Sequence, residues 1–126
     1  VSLYDTRFFF EHYYSRNPAT LKKTKGELSG REKRYVSVVT VHELYKLSLE
    51  KEGRDVAELR TRLVVKDFGV IPMDAELAVL SAEIRSRYRI PMADSVIAAT
   101  AKLHRLECVS DDPHFAQVSE IKTRWI

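Results

Sequence analysis

Asp5, Glu43, Asp94 and Asp112 are the residues whose type and position invite chemistry. Each follows a short apolar run or falls in the opening turn of a helix-like segment. Carboxylates brought to one place repel each other, so their pKa values rise or a cation binds between them. Oxygen donors suit a hard ion, Mg2+ first and Mn2+ as its substitute. Magnesium keeps several waters and takes only one or two carboxylates directly, so the remaining acids would hold those waters. Beside a phosphate, such an ion polarises a phosphoryl oxygen and acidifies a water. Each acid also fits an ordinary role, because Asp and Glu near helix starts cap the chain and complement its dipole. Asp111 competes with Asp112, since composition does not separate neighbours.

The elements that must position these acids alternate between short strands and helices. Val1 to Tyr4 reads as a strand, and Thr6 to Ser15 as an aromatic-rich helix. Asn17-Pro18 is a break or a new helix start, and Lys22 to Arg34 reads as a frayed helix followed by a loop. Tyr35 to Val39 predicts a second strand. A helix is expected from Thr40 as N-cap, with Glu43 completing a capping box and Gly53 ending it. Val56 to Lys66 is a further helix and Phe68 to Ile71 a third strand. Asp74 opens a helix through Tyr88, and Met92 to Leu106 gives the clearest helical pattern. Glu107 to Ser110 is a fourth strand, with a last short strand near Thr123 to Ile126. This alternation predicts a single α/β domain over residues 1–126, with a parallel sheet covered on both faces.

Ligands of such sheets bind beyond the carboxyl ends of the strands, at the switch point of strand order. Asp5, Glu43 and Asp112 follow strands and are expected at that rim. The helix carrying Asp94 runs antiparallel to the fourth strand, so its first turn starts at the same rim.

At these residues the chain resembles the PIN-domain family, especially the VapC-type toxins of VapBC toxin–antitoxin pairs. Leu3-Tyr4-Asp5-Thr6 is similar to the first acidic motif of the family. Ser37 to Leu44 resembles the second, with Glu43 as the acid. Met92 to Ala101 resembles the third, with Asp94 as the acid. Val109 to Phe115 is similar to the fourth, which puts Ser110 at a hydroxyl position, Asp112 at the acidic one and Asp111 at a variable one. Arg7 departs from the small polar residue usual there, and the segment from Asn17 to Arg34 is longer than expected. The resemblance implies a three-layer α/β/α sandwich with strand order 3-2-1-4-5. It implies a metal-dependent endoribonuclease that leaves a 5′-phosphate and a 3′-hydroxyl. Asp5, Asp94 and Asp112 would be the principal ligands, Glu43 would orient water or complete a second metal site, and Ser110 would orient Asp112 or a water. It further implies an RNA substrate, a small antitoxin partner and a homodimer.

The remaining features are less specific. The chain has 126 residues, a formal charge of +3 and 31% charged residues. Lys22, Lys23, Lys25, Arg31, Lys33 and Arg34 form a basic segment that either tracks an RNA backbone or is a solvated loop. Arg85, Arg87 and Arg89 read as a solvated helix end. His104 falls on an apolar helix face and is expected in the core, while the aromatic residues Phe8 to Phe10, Tyr13 and Tyr14 are expected in the core or on a dimer surface. His42 and His114 flank proposed acids and could tune them. No His–His or His–Cys spacing suits zinc. No apolar run approaches ~20 residues and no leader pattern is visible, so no membrane contact is expected. Cys108 is the only cysteine, and a reducing cytoplasmic setting is the expectation. A housekeeping PIN nuclease of RNA processing and a non-catalytic RNA- or protein-binding PIN domain are the competing functions. A phosphoacceptor domain fits poorly, because Asp5 has no acidic neighbour and Lys122 is badly placed.

Overall fold

The computed structural model describes all residues 1–126. Five short strands form one parallel sheet: β1 (Ser2–Tyr4), β2 (Arg34–Ser37), β3 (Gly69–Ile71), β4 (Glu107–Val109) and β5 (Thr123–Arg124), in the order β3-β2-β1-β4-β5. Leu3 stands opposite Tyr35 on one side and Cys108 on the other, so β1 is central. Strand order reverses at β1, with β2 and β4 on either side of it. The expected parallel sheet and its order are both present.

Because both faces are covered, each strand alternates between two apolar layers rather than between core and water. Leu3, Tyr35, Ile71 and Cys108 join one layer, which is completed by helices α5 (Ala75–Tyr88) and α6 (Met92–His104) and by Phe115. Tyr4, Val36, Val70 and Val109 join the other, with Phe8 and Phe9 of α1 (Thr6–Tyr14), Leu44 of α3 (Val38–Glu52) and Val64 of α4 (Arg54–Asp67). The result is the expected three-layer sandwich. Phe8 and Phe9 are buried, and edge-to-face contacts among Tyr4, Phe8, Phe9 and Phe68 place them in the core, whereas Phe10, Tyr13 and Tyr14 stay partly exposed.

Several local expectations change. The segment after Asn17-Pro18 is a regular helix, α2 (Pro18–Ser29), because the Asn17 side chain caps Ala19 N and Pro18 takes the first turn, where no amide is needed. The Tyr4 hydroxyl donates to Glu27, and Arg124 also pairs with Glu27, so α2 is fastened to β1 and β5. The third helix starts earlier than Thr40. Ser37 ends β2 opposite Ile71, and its hydroxyl accepts from Val39 N at 3.1 Å, making Ser37 the N-cap. Val38 and Val39 are therefore helical, Thr40 is buried inside α3, and Glu43 completes no capping box. His104 is exposed, not core, although its neighbour Leu103 packs against the core. A one-turn helix, α7 (Pro113–Ala116), follows Asp112 and was not expected.

Gly53 closes α3 and opens α4 with φ 89°, a conformation that suits glycine. Gly69 answers a different need: a Cβ there would lie 2.6 Å from Cδ1 of Tyr35 on the neighbouring strand. Gly69→Ala should push the Tyr35 ring aside and destabilise the fold by roughly 1–3 kcal/mol. Urea unfolding measures this, with the denaturant slope unchanged. An alanine variant as stable as the parent would show that the ring gives way freely.

Candidate active site

Asp5 is the most enclosed of the four acids, only 3% exposed. It leaves β1 directly, and its backbone amide is tied to Val109 O of β4 at 3.1 Å. Its carboxylate caps α1 through Arg7 N and accepts from the Ser110 hydroxyl at 2.7 Å. Ser110 Oγ in turn accepts from Asp112 N at 3.1 Å. One hydroxyl thus sets both Asp5 and the backbone that carries Asp112. Asp112 caps α7 by accepting from His114 N at 2.9 Å.

Asp94 lies in the first turn of α6, where that helix begins at the carboxyl rim. Its Oδ2 stands 2.8 Å from His114 Nδ1, and Asp112 Oδ1 stands 3.0 Å from the same nitrogen. Glu43 reaches in from the second turn of α3, and the Thr6 hydroxyl donates to its Oε1 at 2.6 Å. The four acids therefore come from four elements. All four line one cavity of about 190 Å³, together with Thr6, Arg7, Phe10 and Leu47. A larger depression of about 640 Å³ includes Lys23, Glu27, Arg31, Arg34 and Arg124. It mixes charges of both signs and holds none of the four acids, so the smaller cavity is the candidate site.

The electrostatics fit crowded carboxylates. Burial pushes the Asp5 carboxyl up to about 6; Ser110 and backbone amides oppose this, and Asp94 adds to it. Asp94 is raised as well, chiefly by burial, then by Asp112 and Glu43, with His114 pulling the other way. A divalent cation among these oxygens would relieve both the desolvation and the repulsion. The donor set is hard oxygen with one imidazole nitrogen, which fits such an ion.

A family model described as PIN domain matches residues 3–121. The chain belongs to the PIN-domain family. This PIN domain is similar to a chain of a toxin–antitoxin complex from Klebsiella pneumoniae, with 23% identity, TM-score 0.77 and 100% of both chains covered. It is also similar to a chain of FitAcB from Neisseria gonorrhoeae, with 28% identity and TM-score 0.78 over 98% of this chain and 96% of that one. A third similar structure is VapC20 of Mycobacterium tuberculosis, described as a sarcin-ricin loop cleaving toxin, with 15% identity and TM-score 0.78 over 97% of this chain and 99% of that one. No curated protein sequence matches the chain at a significant level.

Within the PIN domain, Asp111 and Asp112 part company. Asp111 turns to Arg7, whose Nε donates to it at 3.0 Å, and Arg7 also pairs with Glu11. Asp112 lines the cavity. Arg7 thus occupies the competing acid at the rim. Arg34 is also engaged: its guanidinium donates to the carbonyls of Leu28 and Gly30 and so closes the end of α2. Lys22, Lys23, Lys25, Arg31 and Lys33 are exposed. Arg31, Lys33 and Arg34 lie at or just before the start of β2, at the amino end of the sheet and opposite the acids. Thr6 is a site residue that sequence reasoning did not place, and His114, expected only to tune a neighbouring acid, contacts both Asp112 and Asp94. Thr6 carried a signal, as a hydroxyl adjacent to the first acid. His114 carried only its nearness to Asp112.

The raised Asp5 value makes a prediction for the metal-free protein. Unfolded, the group titrates near 3.8; folded, near 6. The folded state holds that proton more tightly, so this contribution is fully present below pH 3.8 and is lost as pH rises through about 6. Glu27 and Glu120 are held low by their arginine and lysine partners, and they act only below their ordinary value of 4.5. In EDTA, the contribution of Asp5 should therefore be smaller at about pH 7.5 than at about pH 5, by roughly 1–1.5 kcal/mol, while half-buried His12, whose pKa is lowered by desolvation, acts in the opposite direction. Asp5→Asn should remove most of that difference, and a divalent cation should raise the melting temperature more at the higher pH. Thermal melts at the two pH values, with and without the ion, check all three points; an Asp5→Asn variant with the same pH dependence as the parent would contradict them.

Proposed function

We propose that this protein is a metal-dependent endoribonuclease, the toxin of a toxin–antitoxin pair. The observation that carries this reading is the meeting of Asp5, Glu43, Asp94 and Asp112 in one cavity at the carboxyl rim of the sheet. Family membership supports nuclease chemistry there. The similar structures support the toxin role, since one is a chain of a toxin–antitoxin complex and another is described as a toxin that cleaves the sarcin-ricin loop. A small antitoxin is the proposed inhibitor and RNA the proposed substrate. A homodimer is proposed on the strength of the resemblance. No helix is long and apolar enough to cross a membrane.

Asp94 and Asp112 would hold the ion, with Asp5 as the third carboxylate, direct or through water. Mg2+ or Mn2+ when bound would polarise the phosphoryl oxygen and acidify a water. Ser110 keeps Asp5 aimed at the cavity by donating to Oδ2. Thr6 holds one oxygen of Glu43, which leaves the other to accept from a water and orient it. The water oxygen forms a bond to phosphorus as the bond to O3′ breaks. The leaving oxygen takes up a proton, giving a 3′-hydroxyl and a 5′-phosphate. Arg7 and Phe10 line the same cavity, and Arg7 offers a cation beside the phosphodiester.

The test is cleavage of structured RNA by the purified chain with Mg2+ or Mn2+. EDTA should abolish cleavage, and Asp94→Asn should lower it at least roughly 100-fold, the loss of several kcal/mol of transition-state stabilisation. Cleavage that survives both treatments would overturn the metal mechanism. A folded, metal-loaded protein that cuts no RNA would instead favour the binding-domain alternative.

A further inference from the structure

His114 does not line the cavity itself, but its ring stands against two of the cavity's acids, Asp94 and Asp112. Its Nδ1 stands 2.8 Å from Asp94 Oδ2 and 3.0 Å from Asp112 Oδ1. One donor atom from each of these three residues lies within 4.8 Å of the other two. With metal–ligand distances of about 2.0–2.2 Å, two donors of one ion stand roughly 3–4 Å apart. The three side chains are therefore already spaced close to a shared coordination sphere. The backbone helps to hold the ring there: Pro113 restricts the turn, and Asp112 Oδ1 accepts from His114 N at 2.9 Å. Asp94 arrives from a different element, the first turn of α6. In the metal-free chain the imidazole bridges two acids. Were an ion held by Asp94 and Asp112, Nδ1 would be the ring atom available to it, with the ring proton on Nε2.

An imidazole changes which ion such a site prefers. Magnesium dehydrates reluctantly and favours oxygen. First-row transition ions accept imidazole readily and bind nitrogen sites more tightly. We propose that His114 Nδ1 is a direct ligand of the ion held by Asp94 and Asp112, so that the site takes an ion of the manganese class in preference to magnesium. This rests on the metal-dependent reading given above. His114 is then a donor that the four-acid pattern does not contain, and ion choice is a property of this chain rather than of the acids alone.

The experiment measures binding without RNA. The metal-free protein, His114→Ala and Asp94→Asn are each titrated with Mn2+ and with Mg2+ by calorimetry, after circular dichroism confirms that each is folded. His114→Ala should weaken Mn2+ binding about tenfold or more, the usual range for losing a supporting group at a metal site. It should change Mg2+ binding much less. Pulsed electron paramagnetic resonance of Mn2+ on the parent protein should show coupling to an imidazole nitrogen, a readout that needs no variant. Equal losses for the two ions, or a parent spectrum without nitrogen coupling, would overturn the proposal while leaving the carboxylate site intact. Asp94→Asn separates the two ideas: it should weaken both ions, and full retention of both would overturn the metal site itself.

Discussion

Asp5 is a carboxylate that the fold places out of water beside another carboxylate, and much of the structure around it serves to hold it there. Desolvation alone favours the neutral acid. Against this, the Ser110 hydroxyl and the amide of Arg7 hydrogen-bond the side chain, and the backbone amide of Asp5 is anchored to β4. These contacts need β1 and β4 to be adjacent and parallel, because Asp5 and Ser110 each follow directly from the end of one of those strands. The strands are only three residues long, so pairing alone does little to fix the sheet. Register comes from the apolar layers on either face, in which Leu3 and Tyr4 belong to opposite cores. A slip of one residue would exchange those faces and would also turn Asp5 away from Ser110. Core packing and site geometry are thus the same constraint seen from two sides.

That coupling explains why the acids could be read from the chain while some of their surroundings could not. An acid that directly follows a strand has little freedom, and Asp5 is where its position implied. Asp94 needed only the direction of one helix, set by the crossover from α6 to β4. Glu43 was harder, because the helix expected to start at Thr40 is capped three residues earlier, at Ser37. The choice between them depended on where β2 stops pairing with β3, a tertiary fact. Glu43 still lines the cavity because a shift in the helix start leaves its place after Ser37 unchanged; what changes is its partner, which is Thr6 rather than a backbone amide. His104 failed for a related reason: at the end of α6 the core is reached by Ala101 and Leu103, and the position that periodicity assigns to His104 lies beyond it. His114 was legible only as a neighbour of Asp112. Its ring meets Asp94 because Asp112-Pro113 starts a short helix, and that turn had no periodic signature.

The basic segment shows the limit of reading charge from composition. Six cations between Lys22 and Arg34 look like one patch in sequence, yet they have different tasks in space. Arg34 caps α2 through carbonyl oxygens, and Lys23 and Arg31 line a cavity that they share with Glu27 and Glu32. The Tyr4–Glu27–Arg124 contacts beneath them fasten α2 to the sheet, and the Tyr4 hydroxyl is pushed up to about 12 by burial and by Glu27. Part of the positive charge is therefore structural. What remains exposed can still attract a polyanion at long range, since such attraction needs no fixed geometry. It does not specify where a scissile phosphate would sit; in the proposed mechanism that task falls to Arg7, which lines the acid cavity itself.

Arg7 also shows how one substitution can settle an ambiguity between neighbours. Asp111 and Asp112 are adjacent, and with both turned inward the cavity would hold five acids with Glu43, Asp5 and Asp94. A fifth negative charge would raise the pKa values further and weaken the site in its metal-free state. The Arg7 guanidinium pairs with Asp111 at the rim and with Glu11 one turn along α1, and it lies 5.2 Å from the Phe10 ring centroid. The aromatic contact limits its freedom, so Asp111 meets a guanidinium held near one position. The same cation stands at the mouth of a negative cavity, where an approaching phosphodiester would otherwise meet only repulsion. Arg7 therefore shapes the entrance more than the floor: the acids of the cavity stay in place, while the guanidinium, paired with Asp111 and Glu11, offsets part of the negative charge that a nucleic-acid backbone would meet there.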